Sequence, residues 1–167
     1  MMRYTYLDSP LGEVLLFGDE HGLHGIQLTK KGVQPQPGPD WRKDDEFFHV
    51  AKAQLTEYFC GQRKEFDLPL IVRGSGFQQQ VWSALQKIPF GETRSYGELA
   101  TSIGRPTSSR AVGAANGSNR LAIVIPCHRV IGADGSLTGY ASGLDNKLAL
   151  LELEGITVNE NRQANLV

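Results

Sequence analysis

The residue pattern changes at residues 74–76, Gly-Ser-Gly, and this change constrains the fold more than any other feature of the sequence. Upstream, short runs of β-branched, aromatic and leucine residues alternate with turn residues, which is typical of strands. Downstream, apolar residues recur at helical spacing between glycine and proline breaks. The pattern predicts an α+β chain: a small N-terminal α/β unit over residues 1–73, a mostly helical domain over 76–156 and a tail over 157–167.

The N-terminal part predicts an antiparallel meander and one helix. Its strand-like runs cover residues 3–7, 13–18 and 23–28. A further run at 68–72 predicts another strand, and apolar residues at helical spacing predict a helix over 44–59. Cys60 follows that helix, and we interpret it as a small buried side chain.

The C-terminal part predicts four helices. The first covers residues 77–88, and the second begins at Ser95, where Ser95-Tyr96-Gly97-Glu98 forms a capping box. The third extends to about residue 117 with Thr107 or Ser108 as its cap, and the fourth covers 146–154 behind Asp145. The two middle helices and their short turn have the form of a helix-turn-helix. A plain helical hairpin inside a core remains the alternative.

Residues 125–130, Ile-Pro-Cys-His-Arg-Val, contain a candidate reactive centre. A thiol is nucleophilic as a thiolate, and positive charge or a proton acceptor favours that form. Cys127 has His128 and Arg129 beside it in the chain. The alternative is a small buried cysteine with no chemical role.

Composition narrows the class of protein. Two cysteines form no secreted-type disulfide framework, and the sequence has neither a signal peptide nor the apolar run of a membrane span. We therefore expect no membrane association and a reducing location, either the cytosol or the nucleus, and only the resemblance described below favours the cytoplasm. The net charge is −1, but residues 77–131 hold six basic and two acidic side chains. This local excess suits binding to an anionic polymer.

Residues 126–130 resemble the active-site motif of the O6-alkylguanine-DNA alkyltransferases, which repair DNA by direct reversal. Other matches follow in the family's order and spacing at 77–82, 88–92, 95–96, 110–113, Asn119, 139–140 and 154–155. The resemblance is strong over 76–156. Over 1–75 only the order of strands and helix agrees, and there the resemblance implies a ribonuclease-H-like unit.

The resemblance implies the roles of the catalytic residues. Cys127 is the nucleophile and the alkyl acceptor, and a relay runs from it through water and His128 to Glu154. The glutamate is expected to orient and charge the imidazole. Tyr96 would donate a proton to the leaving base, with support from Lys147. No cofactor and no metal ion is expected.

The resemblance also implies a pocket for the alkylated base. Its residues are Val130, Tyr140, Ala141 and Ser142. The carbonyls of Cys127 and Val130 would accept the exocyclic amine of guanine, and the backbone N–H of Ala141 would meet O6, where some members have serine. Asn119 would have a structural role, tying the recognition helix to the active-site loop.

The expected partner is double-stranded DNA that carries O6-alkylguanine, flipped out of the duplex. The helix-turn-helix would enter the minor groove, and Arg110 would fill the vacated stack. The expected DNA contacts are Ser95, Tyr96, Arg110, Ala111, Gly113 and Ala114. We expect a monomer in the free state. Cooperative binding on DNA and transfer from O4 of thymine remain open.

The sequence departs from the family at residues 119–122, which lack the prolines that some members place before the motif. This leaves the range of alkyl groups open. The main alternative function is non-catalytic binding of lesions, as in alkyltransferase-like proteins, which lack the acceptor cysteine. The same residues would also fit a Cys/His hydrolase, a redox thiol protein or a DNA-binding regulator with an unrelated cysteine.

Overall fold

The computed structural model describes residues 1–159 and 163–164 of the 167-residue chain. Its contacts divide the chain into two compact units. One holds residues 1–72 together with 120–122, and the other holds the remaining described residues. Strands dominate the first unit and helices the second, so the predicted α+β class is confirmed.

The first unit contains the predicted meander. Strands β1 (Arg3–Leu7), β2 (Val14–Asp19) and β3 (Gly22–Gln27) pair antiparallel in chain order. A two-residue strand β4 (Arg42–Lys43), which the sequence did not predict, adds to the other side of β1 in parallel. Strand β2, which lies between β1 and β3, is buried along most of its length.

Helix α1 (His49–Phe59) presents Ala51, Leu55 and Tyr58 to the core of this unit. The predicted helix began at residue 44, but a 3-10 turn forms at Glu46–Phe48 instead. Two other predictions are wrong. Residues 68–72 form a single bridge rather than a strand, and Cys60 is exposed because α1 ends before it.

The second unit begins with α2 (Gly76–Leu85). Ser75 caps it with a reciprocal pair of hydrogen bonds to Gln78, which satisfies N–H groups that the helix itself leaves unpaired. The helix ends three residues earlier than predicted. The indole of Trp82 donates to the carbonyl of Ala115 at 2.8 Å and so joins α2 to the second helix of the helix-turn-helix.

The helix-turn-helix consists of α3 (Tyr96–Ser102) and α4 (Ser109–Gly117), which pack against each other. The predicted capping box at Ser95 and Glu98 is confirmed. Ser108 occupies the N-cap position of α4, one of the two positions predicted, but its hydroxyl makes no capping hydrogen bond.

The last helix is α5 (Leu144–Leu153), and Gly143 rather than Asp145 occupies its N-cap position. Asp145 lies in the first turn, where its charge still favours the positive end of the helix dipole. Leu151 of α5 packs in a cluster with Ile131, Leu137 and Ala164.

Part of the predicted tail, residues 160–162 and 165–167, lies outside the described residues. Ala164 is buried, and its N–H donates to the carbonyl of Gly135 at 2.8 Å. Among the described residues, no helix is both long enough and apolar enough to cross a membrane.

Candidate active site

Cys127 begins a 3-10 turn, Cys127–Arg129, that leads directly into a two-residue strand β6 (Val130–Ile131). This strand pairs in parallel with β5 (Arg94–Ser95). Because α3 starts immediately after β5, the pairing brings Tyr96 and the helix-turn-helix to the turn that holds the cysteine. Two pairs of residues therefore join the predicted reactive motif to the predicted DNA-binding motif.

The Cys127 side chain is 5 % exposed, and its sulfur has polar neighbours. Nδ2 of Asn119 donates to Sγ at 3.1 Å and to the carbonyl of Ile125 at 2.8 Å. Burial raises the pKa of the Cys127 thiol, although Asn119, Tyr140 and the charge of Lys147 act in the opposite direction. The group is therefore a thiol at neutral pH and needs a proton acceptor to become a nucleophile.

His128, Arg129 and Glu154 form a buried cluster of charged and polar groups. Nε2 of His128 lies 2.5 Å from Oε2 of Glu154. Nε of Arg129 donates to Oε1 at 2.8 Å and Nη2 donates to Oε2 at 3.1 Å, so the guanidinium binds both carboxylate oxygens in a bidentate pair. The N–H of Gly91 donates to Oε1 at 3.1 Å.

The protonation states of this cluster follow from burial and charge. Burial acts to raise the pKa of Glu154, but the hydrogen bonds and charges of His128 and Arg129 outweigh it and lower the pKa to about 2. Burial lowers the pKa of His128, against the opposing effect of Glu154. We therefore assign an ionised Glu154 and a neutral imidazole that carries its proton on Nε2. The expectation that the glutamate charges the imidazole stays a prediction, and burial of the ring acts against it.

The other ring nitrogen of His128, Nδ1, is buried and has no hydrogen-bond partner among the described residues. In the neutral tautomer with Nε2 protonated, Nδ1 is the acceptor. The imidazole is thus held with a basic nitrogen available for a proton, within the same turn as Cys127.

Lys147 is fully buried on α5 and lies close to Tyr96. Its Nζ donates to the carbonyl of Val130 at 2.5 Å and to that of Thr138 at 2.8 Å. The hydroxyl of Tyr96 donates to the same Thr138 carbonyl at 3.1 Å. Burial lowers the pKa of Lys147 to about 8, although the neighbouring Cys127 acts to raise it. Tyr96 and Lys147 are brought together as the sequence predicted, through a carbonyl that the sequence did not indicate.

Of the predicted pocket residues, Val130 begins β6, and the other three, residues 140–142, lie in the loop that precedes α5. Tyr140 lies beside the Cys127 sulfur, Ala141 is exposed, and the buried Oγ of Ser142 has no hydrogen-bond partner among the described residues. Gly139 and Gly143 flank them with positive φ angles of 42° and 102°. Two glycines in conformations that other residues rarely adopt thus shape this loop.

The two carbonyls expected to accept the guanine amine already have partners within the protein. The Cys127 carbonyl accepts from Nδ2 of Asn116 at 3.3 Å and from the N–H of Val130. The Val130 carbonyl accepts from Lys147. A carbonyl oxygen has two lone pairs, so these contacts orient the oxygens, and the second lone pair of Val130 can still accept from a base.

The predicted DNA-contacting residues of α4 lie on one side of that helix. Arg110, Ala111 and Ala114 are exposed, whereas Val112 and Ala115 face the core. Gly113 faces Tyr96, since a Cβ built there would lie 3.7 Å from the tyrosine ring. The exposed side therefore combines small residues with one cation at the helix start. This surface suits close approach to an anionic duplex.

Sequence reasoning missed Asn116, Thr138 and the structural role of Arg129. Asn116 carried a usable signal, because it is a polar residue on the same stripe of α4 as Val112 and Ala115. Arg129 was noted only as a positive charge near the thiol. Thr138 contributes through its backbone, and nothing in its side chain marks that position. Among the described residues, no cluster of His, Cys, Asp and Glu could hold a metal ion.

Comparison with known families covers nearly the whole chain. Residues 2–72 match the ribonuclease-like domain of 6-O-methylguanine DNA methyltransferase, and residues 76–156 match its DNA binding domain. A methylated-DNA–protein-cysteine methyltransferase of Methanosarcina acetivorans is 53 % identical over 154 residues, covering 92 % of this chain and 99 % of that protein. A Mycobacterium tuberculosis protein of the same name is 50 % identical, covering 92 % and 93 %.

Solved structures agree with the sequence comparison. The crystal structure of Mycobacterium tuberculosis OGT in complex with DNA has a TM-score of 0.84 and 49 % sequence identity, covering 91 % of this chain and 92 % of that one. The structure of Mycobacterium tuberculosis O6-methylguanine methyltransferase has a TM-score of 0.83, also at 49 % identity, covering 92 % and 93 %. The thiol, imidazole and carboxylate geometry and these matches lead to one conclusion: the chain belongs to the 6-O-methylguanine DNA methyltransferase family.

Proposed function

We propose that this protein repairs duplex DNA by moving an alkyl group from O6 of guanine to the sulfur of Cys127. The observation that carries the proposal is the His128–Glu154 pair beside a buried thiol, with Nδ1 of the imidazole as the remaining proton acceptor. The β5–β6 ladder joins this pair to a helix-turn-helix that exposes Arg110. This adjacency supports a protein that acts on one base of a duplex that it binds.

The reaction at Cys127 is a displacement at carbon. The thiol proton passes to Nδ1 of His128, directly or through a water molecule, and the thiolate attacks the alkyl carbon. One carbon–sulfur bond forms and the bond from carbon to O6 breaks, so that guanine leaves as an anion. Tyr96 supplies the proton that neutralises this anion, and exchange with solvent then returns the proton from His128 to Tyr96. The products are guanine and a thioether.

Each protein molecule carries out one transfer. A thioether is a poor leaving group, and Cys127 is the cysteine of the site, since Cys60 lies in the other unit. Relatives that are about half identical bear the name of methyltransferases. Together with the presence of Cys127, this favours transfer over non-catalytic lesion binding.

The partner we propose is double-stranded DNA with a flipped O6-alkylguanine, and O4-alkylthymine is a second substrate to test. Arg110 would occupy the gap that the flipped base leaves. We further propose a monomer in the free state. Large hydrophobic residues that are exposed in the described part of the chain, Met1, Val33 and Val50, are few and separate in sequence. A cytoplasmic location is supported by the need for a reduced Cys127 thiol.

The test is intact-protein mass spectrometry after mixing with duplex DNA that contains one O6-methylguanine. We expect one methyl group per protein molecule, located on Cys127 by peptide mapping. Cys60 provides an internal control, because it is the exposed cysteine and a non-specific methylating agent would reach it first.

Two variants complete this test. Cys60→Ser should accept one methyl group as before, and Cys127→Ser should accept none while still binding the duplex. A methyl group on Cys60, or no transfer by the unmodified protein, would contradict the proposal.

A further inference from the structure

Arg129 is a buried cation that the displacement itself does not require. Its side chain is 6 % exposed, and its three nitrogens all have acceptors. Two of them contact Glu154, and Nη1 donates to the carbonyl of Ile88 at 2.7 Å. The guanidinium also lies 5.9 Å from the centre of the Phe90 ring. Burying a cation this completely is costly unless it is paired.

The contacts of Glu154 indicate that role. Its side chain is fully buried, and each of its two oxygens accepts one hydrogen bond from Arg129. The second partner of Oε1 is the N–H of Gly91, and the second partner of Oε2 is His128. A buried carboxylate needs a positive partner. If Arg129 were absent, the nearest group able to provide that charge would be the imidazole.

We propose that Arg129 is a positioning residue that balances the charge of Glu154, so that His128 stays neutral and its Nδ1 remains able to accept the thiol proton. This inference rests on the proposed function. Glu154 then fixes the orientation and tautomer of the ring through Nε2 without drawing a second proton onto it.

The groups that face His128 support this assignment. They are Glu154 at the end of α5, Arg129 in its own turn and Lys147 on α5. Arg129 and Lys147 both disfavour a positive imidazole, and Glu154 favours one. Removal of Arg129 leaves the glutamate less compensated, and the pKa of His128 should rise. A protonated Nδ1 is a donor and cannot take the thiol proton.

The central experiment uses Arg129→Met, which keeps an unbranched side chain and removes the charge. Nitrogen-15 NMR of the histidine rings, as a function of pH, reports the protonation of His128 in the free protein. We expect its pKa to rise. Single-turnover transfer from O6-methylguanine duplex should slow by about 10- to 100-fold at pH 7. The acid limb of the rate against pH should move to higher pH.

Arg129→Met removes the cationic partner of the buried Glu154 carboxylate, which destabilises the fold. A double variant provides a second test without this cost. Arg129→Met/Glu154→Gln removes both charges, and glutamine can still accept from Nε2 of His128. This double variant should restore the low pKa of His128 and bring transfer to within about tenfold of the unmodified protein. Arg63→Met is the matched control. It breaks a partly exposed Arg–Glu pair, to Glu57 at 2.9 Å, in the other unit and should change neither readout.

The outcomes separate this inference from the proposed function. A folded Arg129→Met variant with an unchanged imidazole titration would overturn the role of Arg129. So would a folded double variant in which His128 remains protonated or transfer remains as slow as in the single variant. If the unmodified protein transfers no methyl group, the proposed function fails, whereas the NMR titration still decides whether Arg129 controls the charge on His128.

Discussion

The helical unit uses arginine in two opposite ways. Arg129 is buried, with three nitrogens bound to fixed acceptors, whereas Arg110 is exposed at the start of α4. The first is held by its surroundings and sets the charge state of its neighbours. The second remains accessible to a partner outside the protein. The same residue type is thus immobilised by fixed acceptors at one position and left accessible to a partner at the other.

Glu154→Ala is the substitution that we expect to disturb the buried cluster of His128, Arg129 and Glu154 most strongly. It leaves Arg129 and His128 without their shared partner, so we expect a loss of about 3–5 kcal/mol in the free energy of unfolding. Transfer by the remaining folded protein should fall by about 10²- to 10⁴-fold, because the imidazole loses its orientation. Urea unfolding and single-turnover assays measure the two effects.

The control for that variant is Glu57→Ala, which removes the acid of the partly exposed pair with Arg63. A surface pair of this kind contributes about 0–1 kcal/mol. Equal losses of stability in Glu57→Ala and Glu154→Ala would show that burial of the active-site pair carries no special weight.

A pH titration of stability tests the same buried cluster without removing an atom. The pKa of Glu154 falls from 4.5 in the unfolded reference to about 2 in the folded protein. Its contribution, on the order of 3 kcal/mol, is therefore present above pH 4.5 and is lost as the pH falls toward 2. The lowered pKa of His128 adds in the same direction, since the unfolded chain takes up that proton first below about pH 6.5.

The measurement is the free energy of unfolding in urea between pH 7 and pH 3. Glu154→Gln should show a shallower decline below pH 4.5 than the unmodified protein, because it lacks the titrating carboxyl. The half-buried Asp19 and the exposed Asp45 and Asp134 also have lowered pKa values and remain in both proteins. Parallel curves for the two proteins would therefore contradict the assignment of the acid response to Glu154.

Arg110→Ala tests the role of the exposed arginine. Among the substitutions proposed here, we expect it to change the free energy of unfolding least. Stability should change by less than about 0.5 kcal/mol, as is usual for exposed positions. Transfer from duplex DNA should slow by roughly 10-fold through weaker binding and poorer base flipping, and the salt dependence of binding should decrease. Fluorescence anisotropy at several salt concentrations, together with single-turnover rates, provides the measurement.

Transfer from the free base O6-benzylguanine makes this test specific, because that substrate needs no duplex. Its rate should be unchanged in Arg110→Ala. Lys30→Ala removes an exposed cation in the first unit and serves as the charge-matched control. Equal losses of duplex binding in both variants would assign the effect to net charge rather than to the position of Arg110.

Much of the fold could be predicted from the spacing of apolar residues and from the turn and capping residues between them. The meander of β1 to β3 and the Ser95 capping box were predicted because alternation and cap chemistry are local properties. Strand β4 was missed, since two residues carry no pattern. Ser108 occupies the predicted cap position without a capping hydrogen bond, and the cap predicted at Asp145 is wrong because α5 begins at Leu144, behind Gly143.

The side chains at the centre of the site were predicted, and several contacts that hold them were not. The residue pattern indicated Cys127 and His128, the resemblance added Glu154, and the structure places His128 and Glu154 in contact. Contacts through the Thr138 carbonyl and the Gly91 N–H could not be predicted, because any residue has those groups. Ile123 is a further case, since its φ of 74° is unusual for a β-branched residue and no signal in the sequence marks it.

The anchoring of Arg129 and Glu154 to main-chain groups limits how the reactive motif can be engineered. The carbonyl of Ile88 and the N–H of Gly91 lie about forty and sixty residues away from their partners in the chain. A pentapeptide copied into another scaffold would carry the cysteine and the histidine but not these anchors. A designer who wishes to transplant single-use alkyl capture must therefore move the α2–β5 loop and the end of α5 together with the motif.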